Sequence, residues 1–274
     1  MLNGLDLFSG IGGLTVALSE WCRPVAYCEA DKYAQALLLS RMSCGDLPRA
    51  PIWNDVQTLN GNQLQNIDII YGGFPCQDIS VAGNGVGLEG KRSGLFYEIV
   101  RLVKETNAPW VFLENVPAIR TKGLSTVIEA FTDLGYDCRW TCVSAAEVGA
   151  PHLRKRWFLL AHSNGAKLRD ESGWRVWSSG KGSNEFNDDG SKESVAHTTR
   201  KPKRKQTIQK VTESVSRQAW TKPCVRDWWA TEPDVGRVAD GIRSRVDRIK
   251  GLGNAVVPAQ ARESFEKLMG LHEC

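Results

Sequence analysis

No stretch of this 274-residue chain approaches the ~18 consecutive apolar residues of a membrane-spanning helix. The opening, MLNGLDLFSG, lacks the basic segment and apolar core of a secretory signal. None of the eight cysteines form a CxxC pair, and only Cys138 and Cys142 are close, four residues apart in an apparent strand. That pattern does not match paired zinc ligands. No internal repeat is apparent. These absences set the expectation of a cytoplasmic protein with free thiols and no metal. The length suits one large domain, or a large one and a small one.

Charge is unevenly placed. Residues 163–240 hold 15 Lys and Arg against 11 Asp and Glu, while the remainder has 20 of each. The whole net charge of +4 therefore sits in one segment, which also carries five of the ten tryptophans. Basic residues interleaved with aromatics suit a nucleic-acid surface, and on charge alone a solvated insert fits equally.

Residues 1–162 read as alternating strands and helices. GLDLFSG, PVAYCEAD, IDIIYGG and WVFLENV are strand-like. LTVALSEW, KYAQALLLSRM, SGLFYEIVRLVKET and STVIEAFTDLG are helical. In the third helix Leu95, Phe96, Ile99, Leu102 and Val103 form an apolar stripe, and Ser93 is placed to cap it. Near-continuous apolar strands alternating with helices imply an α/β fold, a mostly parallel sheet with helices on both faces. From HSNGAKLRDESG to about residue 217 the chain turns polar, and Pro258 then opens a final helix. The expected organisation is a domain at 1–162, a small insert at 163–240, and a C-terminal segment, 241–274, returning to the first part.

Five stretches carry chemistry. In DLFSGIGGL, Gly10, Gly12 and Gly13 stand at a strand-to-helix turn where a ligand could approach the backbone. Glu29 ends the next strand, where carboxylates bind ribose hydroxyls. The spacing is not GxGxxG, which weakens a dinucleotide reading and leaves another adenosine-bearing cofactor in play. In GGFPCQDIS, Cys76 follows an apolar strand and precedes a loop with five glycines, a candidate lid. It is either a nucleophile or an inert buried thiol. Glu114 in FLENV could cap a helix or serve as an acid toward a bound base. Arg154 and Arg156 in PHLRKRWFLLA fall on one side of a strand and could reach one group. Asn254 in GLGNAVVP marks a turn before a helix, or a cofactor contact.

In this order, DLFSGIGGL, GGFPCQDIS, ENV, the RKR stretch and GLGNAVVP resemble the ordered motifs of the DNA (cytosine-5) methyltransferase family, in its compact bacterial or phage form. The likeness covers residues 1–162 and about 241–274. It implies a Rossmann-like methyltransferase sheet with a small target-recognition insert. It also implies transfer of a methyl group from S-adenosyl-L-methionine to a flipped cytosine in duplex DNA, leaving S-adenosyl-L-homocysteine. Cys76 would attack cytosine carbon 6, Glu114 would bind the base edge, and Arg156, less directly Arg154, would stand near the base. The cofactor would be held by Phe8, Gly10, Ile11, Gly12, Gly13, Glu29, Asp55, Val56, Pro75, Leu95 and Asn254. Gln77, Ser80, Lys91, Arg92 and Arg237 are the candidate DNA contacts. The resemblance further implies a monomer, nucleoid-associated in a bacterial or phage-infected cell, with a cognate restriction endonuclease as a candidate partner. His152 departs from the glutamine many members carry. An RNA-directed relative, a catalytically silent DNA-binding regulator and an altered cofactor remain as alternatives.

Overall fold

The computed structural model describes residues 1–75, 94–163, 167–170, 173–176 and 245–271. One seven-stranded sheet contains β1 (Leu2–Leu7), β2 (Cys22–Cys28), β3 (Ile52–Trp53), β4 (Ile69–Gly73), β5 (Trp110–Asn115), β6 (Tyr136–Val143) and β7 (Arg156–Ser163). Its order is β3-β2-β1-β4-β5-β7-β6. The pairs from β3 through β5 are parallel, while β7 runs antiparallel to both β5 and β6. A separate antiparallel hairpin is formed by β8 (Lys167–Asp170) and β9 (Gly173–Val176).

Alternate side chains of the central strands serve opposite cores, which is why the strands read as unbroken apolar runs. On one face Ile70, Val111, Leu113 and Leu159 meet α3 (Leu95–Thr106) and α5 (Leu124–Thr132) through Phe96, Ile99, Leu102, Val103, Val127 and Phe131. On the other, Ile69, Tyr71, Trp110, Phe112, Phe158 and Leu160 meet α1 (Gly13–Ala17) and the last helix, Pro258–Met269. Phe265 of that helix stands edge-on to Phe112, with ring centroids 5.2 Å apart. The helix α2 (Lys32–Cys44) buries Ala34, Leu38 and Met42, four residues apart, and Asp31 caps it by accepting from the amides of Tyr33 and Ala34.

The elements differ from the sequence expectation in several places. The first helix stops at Ala17 because the chain must reverse to pair Cys22 beside Leu2; the Trp21 and Cys22 amides both bond to the Leu18 carbonyl. The second strand starts at Cys22 and ends at Cys28, which frees Glu29 for the turn described below. After the short α4 (Ile119–Lys122), the C-terminal segment holds a helix that was not expected, α6 (Arg245–Asn254), despite Gly251 and Gly253. Pro258 opens α7 (Pro258–Met269) at its first turn, as expected.

Met1–Ser179 with Asp234–Cys274 form one compact unit and Gly180–Pro233 a second; all described residues belong to the first. Among the described residues no helix is long and apolar enough to cross a membrane.

Candidate active site

The sheet order places β1 at its topological switch point, with β2 on one side and β4 on the other. Ligands bind outside the carboxyl ends of strands at such a point. There the chain leaves β1 through a tight turn in which Phe8, Gly10 and Gly12 have φ of 53°, 54° and 84°. Glu29, released from the end of β2, closes this turn. Its Oε2 accepts from the Gly10 amide and its Oε1 from the Asp31 amide, each at 2.7 Å. Each oxygen retains a lone pair, so the carboxylate can still accept from a ligand hydroxyl. Beneath the turn, Thr15 Oγ1 donates to Asp6 Oδ2 at 2.6 Å and lies 3.1 Å from Tyr71 Oη. Burial pushes the Asp6 carboxyl up to about 7, countered in part by the Thr15 and Ser9 hydroxyls.

A cavity of about 790 Å³ opens along these strand ends. Phe8, Gly10, Ile11, Gly13, Glu29, Asp55, Val56, Pro75, Leu95 and Asn254 all line it, and so do Glu114 and Arg156. Gly12 does not. It turns toward α2 and the segment after it, where a Cβ would stand 3.3 Å from Leu38 Cδ2 and 2.6 Å from Leu47 Cδ1, so its missing side chain serves packing. Cys28 also lines the cavity, but burial, with Glu29 and Asp55 adding to it, pushes its thiol up to about 12. Burial does the same to Cys22 and Cys138. These thiols are unreactive near neutral pH.

At the far end of the cavity Glu114, on β5, accepts an ion pair from Arg156 Nε at 2.9 Å. Burial raises the Glu114 pKa; Arg156 and then Arg154 oppose the rise with their positive charge. A Cβ at Gly73 would come within 2.8 Å of Glu114 Oε2, so a glycine at the end of β4 makes room for the carboxylate. The neighbouring Asn115 donates from Nδ2 to the Phe74 carbonyl at 3.2 Å and accepts the Val116 amide at 2.7 Å. It thereby ties the end of β5 to the chain leaving β4.

Arg154 and Arg156 both act on Glu114 through their charge, but only Arg156 is paired with it. The strand begins only at Arg156, so Arg154 lies outside the alternation that was to place both on one side. Arg154 Nη2 instead donates to the carbonyls of Gly253 and Ala255, at 2.8 and 2.5 Å, on either side of Asn254. Gln260 Nε2 reaches back from α7 to the carbonyls of Val143 and Arg154. A Cβ at Gly13 would stand 2.7 Å from Val256 Cγ1, so the same C-terminal segment also closes on the glycine turn. Cys76, Gln77, Ser80, Lys91, Arg92, Ser93 and Arg237 lie outside the described residues.

A family model for C-5 cytosine-specific DNA methylases matches residues 2–236. The chain belongs to this family. The type II methyltransferase M.CviJI of Paramecium bursaria Chlorella virus IL3A is 38% identical over 159 residues, covering 57% of this chain and 42% of that protein. M.HhaI of Haemophilus parahaemolyticus is 32% identical over 174 residues, covering 62% and 51%. The chain spans about half the length of the curated relatives it matches. The solved methyltransferase EhMeth of Entamoeba histolytica shares the fold at a TM-score of 0.50 and 16% identity, covering 59% of this chain and 53% of that one.

Several residues that line the cavity were not legible beforehand. Asp31, Tyr33 and Asp247 line the cavity. Their only sequence signal is nearness to Glu29 or to GLGNAVVP. Asn115 was visible within ENV, and its bond to Phe74 gives it a structural task there. Gln260, fully buried in a helix of mixed composition, had the one legible oddity of a polar residue on an apolar face.

Proposed function

We propose that this chain transfers a methyl group from S-adenosyl-L-methionine to carbon 5 of a cytosine flipped out of duplex DNA. The observation that carries the reading is that one cavity is lined both by Glu29 and by the Glu114–Arg156 pair, in a chain of this family. Its volume falls in the range of ligand pockets, about 300–1,000 Å³. Gly10 faces open space on the cavity side: a Cβ there would meet nothing nearer than the Phe8 carbonyl at 4.0 Å. A nucleoside-bearing cofactor therefore fits. Glu29 would take the ribose, Asp55 and Val56 the adenine, and Phe8, Ile11, Pro75, Leu95 and Asn254 the remaining wall. When bound, the cofactor supplies an electrophilic methyl group.

The chain's own residues do the rest. The Cys76 thiolate adds to carbon 6 of the cytosine, and the ring's electrons shift to carbon 5, which becomes nucleophilic. Glu114 holds the base at ring nitrogen 3 and the amino group, where burial makes its carboxylate readier to take up a proton than an exposed one. Arg156 fixes the Glu114 rotamer through the ion pair. Once carbon 5 carries the methyl group, loss of its proton restores the ring double bond, and the carbon 6–sulfur bond breaks to return Cys76. The base must leave the stack, because neither ring face is open within a duplex. Residues 163–240, where the positive charge and five tryptophans gather, are the proposed target-recognition region.

Incubation of the protein with methyl-tritiated S-adenosylmethionine and either duplex DNA or tRNA tests the reading. Label is expected in DNA, and 5-fluorocytosine DNA should trap a covalent adduct that Cys76→Ser abolishes. Label in tRNA alone, or an undiminished adduct with Cys76→Ser, would refute it.

A further inference from the structure

The segment between β3 and β4 brings Asp55 and Val56 to the cavity, yet its only regular structure is one short helical turn at Gly61–Gln63. What holds this loop is α3. Arg101 Nη2 donates to the Val56 carbonyl and Nη1 to the Leu59 carbonyl, both at 2.9 Å. The same guanidinium meets Glu98 Oε2 through Nε and Glu105 Oε2 through Nη1, each at 2.8 Å. Glu105 Oε2 in turn accepts the Gly61 amide at 2.7 Å. Three backbone groups of one loop therefore end on two side chains of one helix. Val56 and Leu59 also pack into the core that holds Leu102 and Val103. At the start of this helix Leu95 lines the cavity, while Arg101 does not.

We propose that Arg101 is a positioning residue for the adenine side of the cofactor site. Its fork locks the 55–61 loop against α3, so that Asp55, Val56 and Leu95 keep a fixed spacing. The inference rests on the cofactor reading above. The two carbonyls are reached by different nitrogens of one planar group, a task a lysine cannot perform. The ion pairs to Glu98 and Glu105 are a separate matter. With side chains 32%, 25% and 21% exposed they are partly solvated, and a lysine ammonium can retain one of them.

Arg101→Lys and Arg101→Ala separate these roles. Affinities for S-adenosylhomocysteine and for methylthioadenosine, which keeps the adenine but lacks the amino-acid end, are measured by calorimetry beside melting temperature and steady-state kinetics. Arg101→Lys should melt close to wild type yet bind both ligands about tenfold more weakly, on the scale of one hydrogen bond to a charged group. The KM for S-adenosylmethionine should rise by the same factor, with kcat unchanged. Arg101→Ala should show at least the same loss of affinity. Wild-type affinity in Arg101→Lys, or a loss confined to S-adenosylhomocysteine, overturns the inference. Should wild type bind neither ligand, the cofactor reading fails first. Where Arg101→Ala does not fold, Arg101→Lys alone decides.

Discussion

Arg156 Nε stands 2.9 Å from Glu114 Oε1, joining a residue at the start of β7 to one near the end of β5. The antiparallel register pairs Asn115 with Trp157, which leaves Glu114 and Arg156 as diagonal neighbours at the strand ends. This pair ends the cavity opposite Glu29, and the chemistry proposed above depends on it.

Glu114→Gln keeps the shape of the side chain but loses its charge. Methyl transfer should fall by a factor on the order of 10² to 10⁴, the usual worth of a positioned acid or base. Affinity for S-adenosylhomocysteine should hold within about twofold, since the pair lies at the other end of the cavity. Single-turnover kinetics with calorimetry would show both, and an equal loss in both measurements would contradict this division.

Arg156→Met removes the nearer positive charge that holds the Glu114 pKa down against burial. The pKa should therefore rise further, and the limb of the pH–rate profile that reports Glu114 should move to higher pH. A profile shifted to lower pH would show that another group governs that limb.

Asp6 holds its proton up to about 7, whereas an exposed aspartate ionises near 3.8. Between these values unfolding releases a proton, so this group's contribution to stability is full at low pH and falls as pH rises toward 7. The slope within the window is about 1.4 kcal/mol per pH unit. Asp6→Asn cannot titrate and still accepts from Thr15. Wild type should accordingly lose stability relative to Asp6→Asn between about pH 4 and pH 7, as denaturation at each pH would show. Parallel curves would mean that the carboxyl is ionised throughout.

Gln260→Leu would leave the carbonyls of Val143 and Arg154 without their partner in the interior. The cost should be about 1–3 kcal/mol of stability, the usual penalty for an unpaired buried group. The segment around Asn254 should also loosen, raising the KM for S-adenosylmethionine. Denaturant titration and initial rates would measure the two effects. An unchanged KM would confine Gln260 to stability.

Gly12→Ala combines a positive φ of 84° with a Cβ 2.6 Å from Leu47 Cδ1. The loss should be about 1–3 kcal/mol, from backbone strain and overpacking together. The effect should appear in the melting temperature. Loss of cofactor affinity without loss of stability would instead argue for a direct contact.

Local physics alone accounts for what the sequence determined. The apolar runs declared strands covered on both faces, as Ile69, Ile70 and Tyr71 show by dividing between the two cores. The stripe Phe96, Ile99, Leu102 and Val103 marked the buried face of α3, and Pro258 the start of the last helix. The glycine turn and Glu29 were legible because their backbone geometry and strand-end position are themselves local facts. Which partner each polar side chain finds was not local. Arg154 and Arg156 are two residues apart, yet one holds Gly253 and Ala255 and the other holds Glu114. That outcome turns on β7 lying between β5 and β6, and on the strand beginning one residue after Lys155. Arg101 likewise gives no sign in its helix that it reaches carbonyls 42 and 45 positions away. Periodicity records the face a residue presents, but only the assembled sheet order sets which backbone stands opposite it.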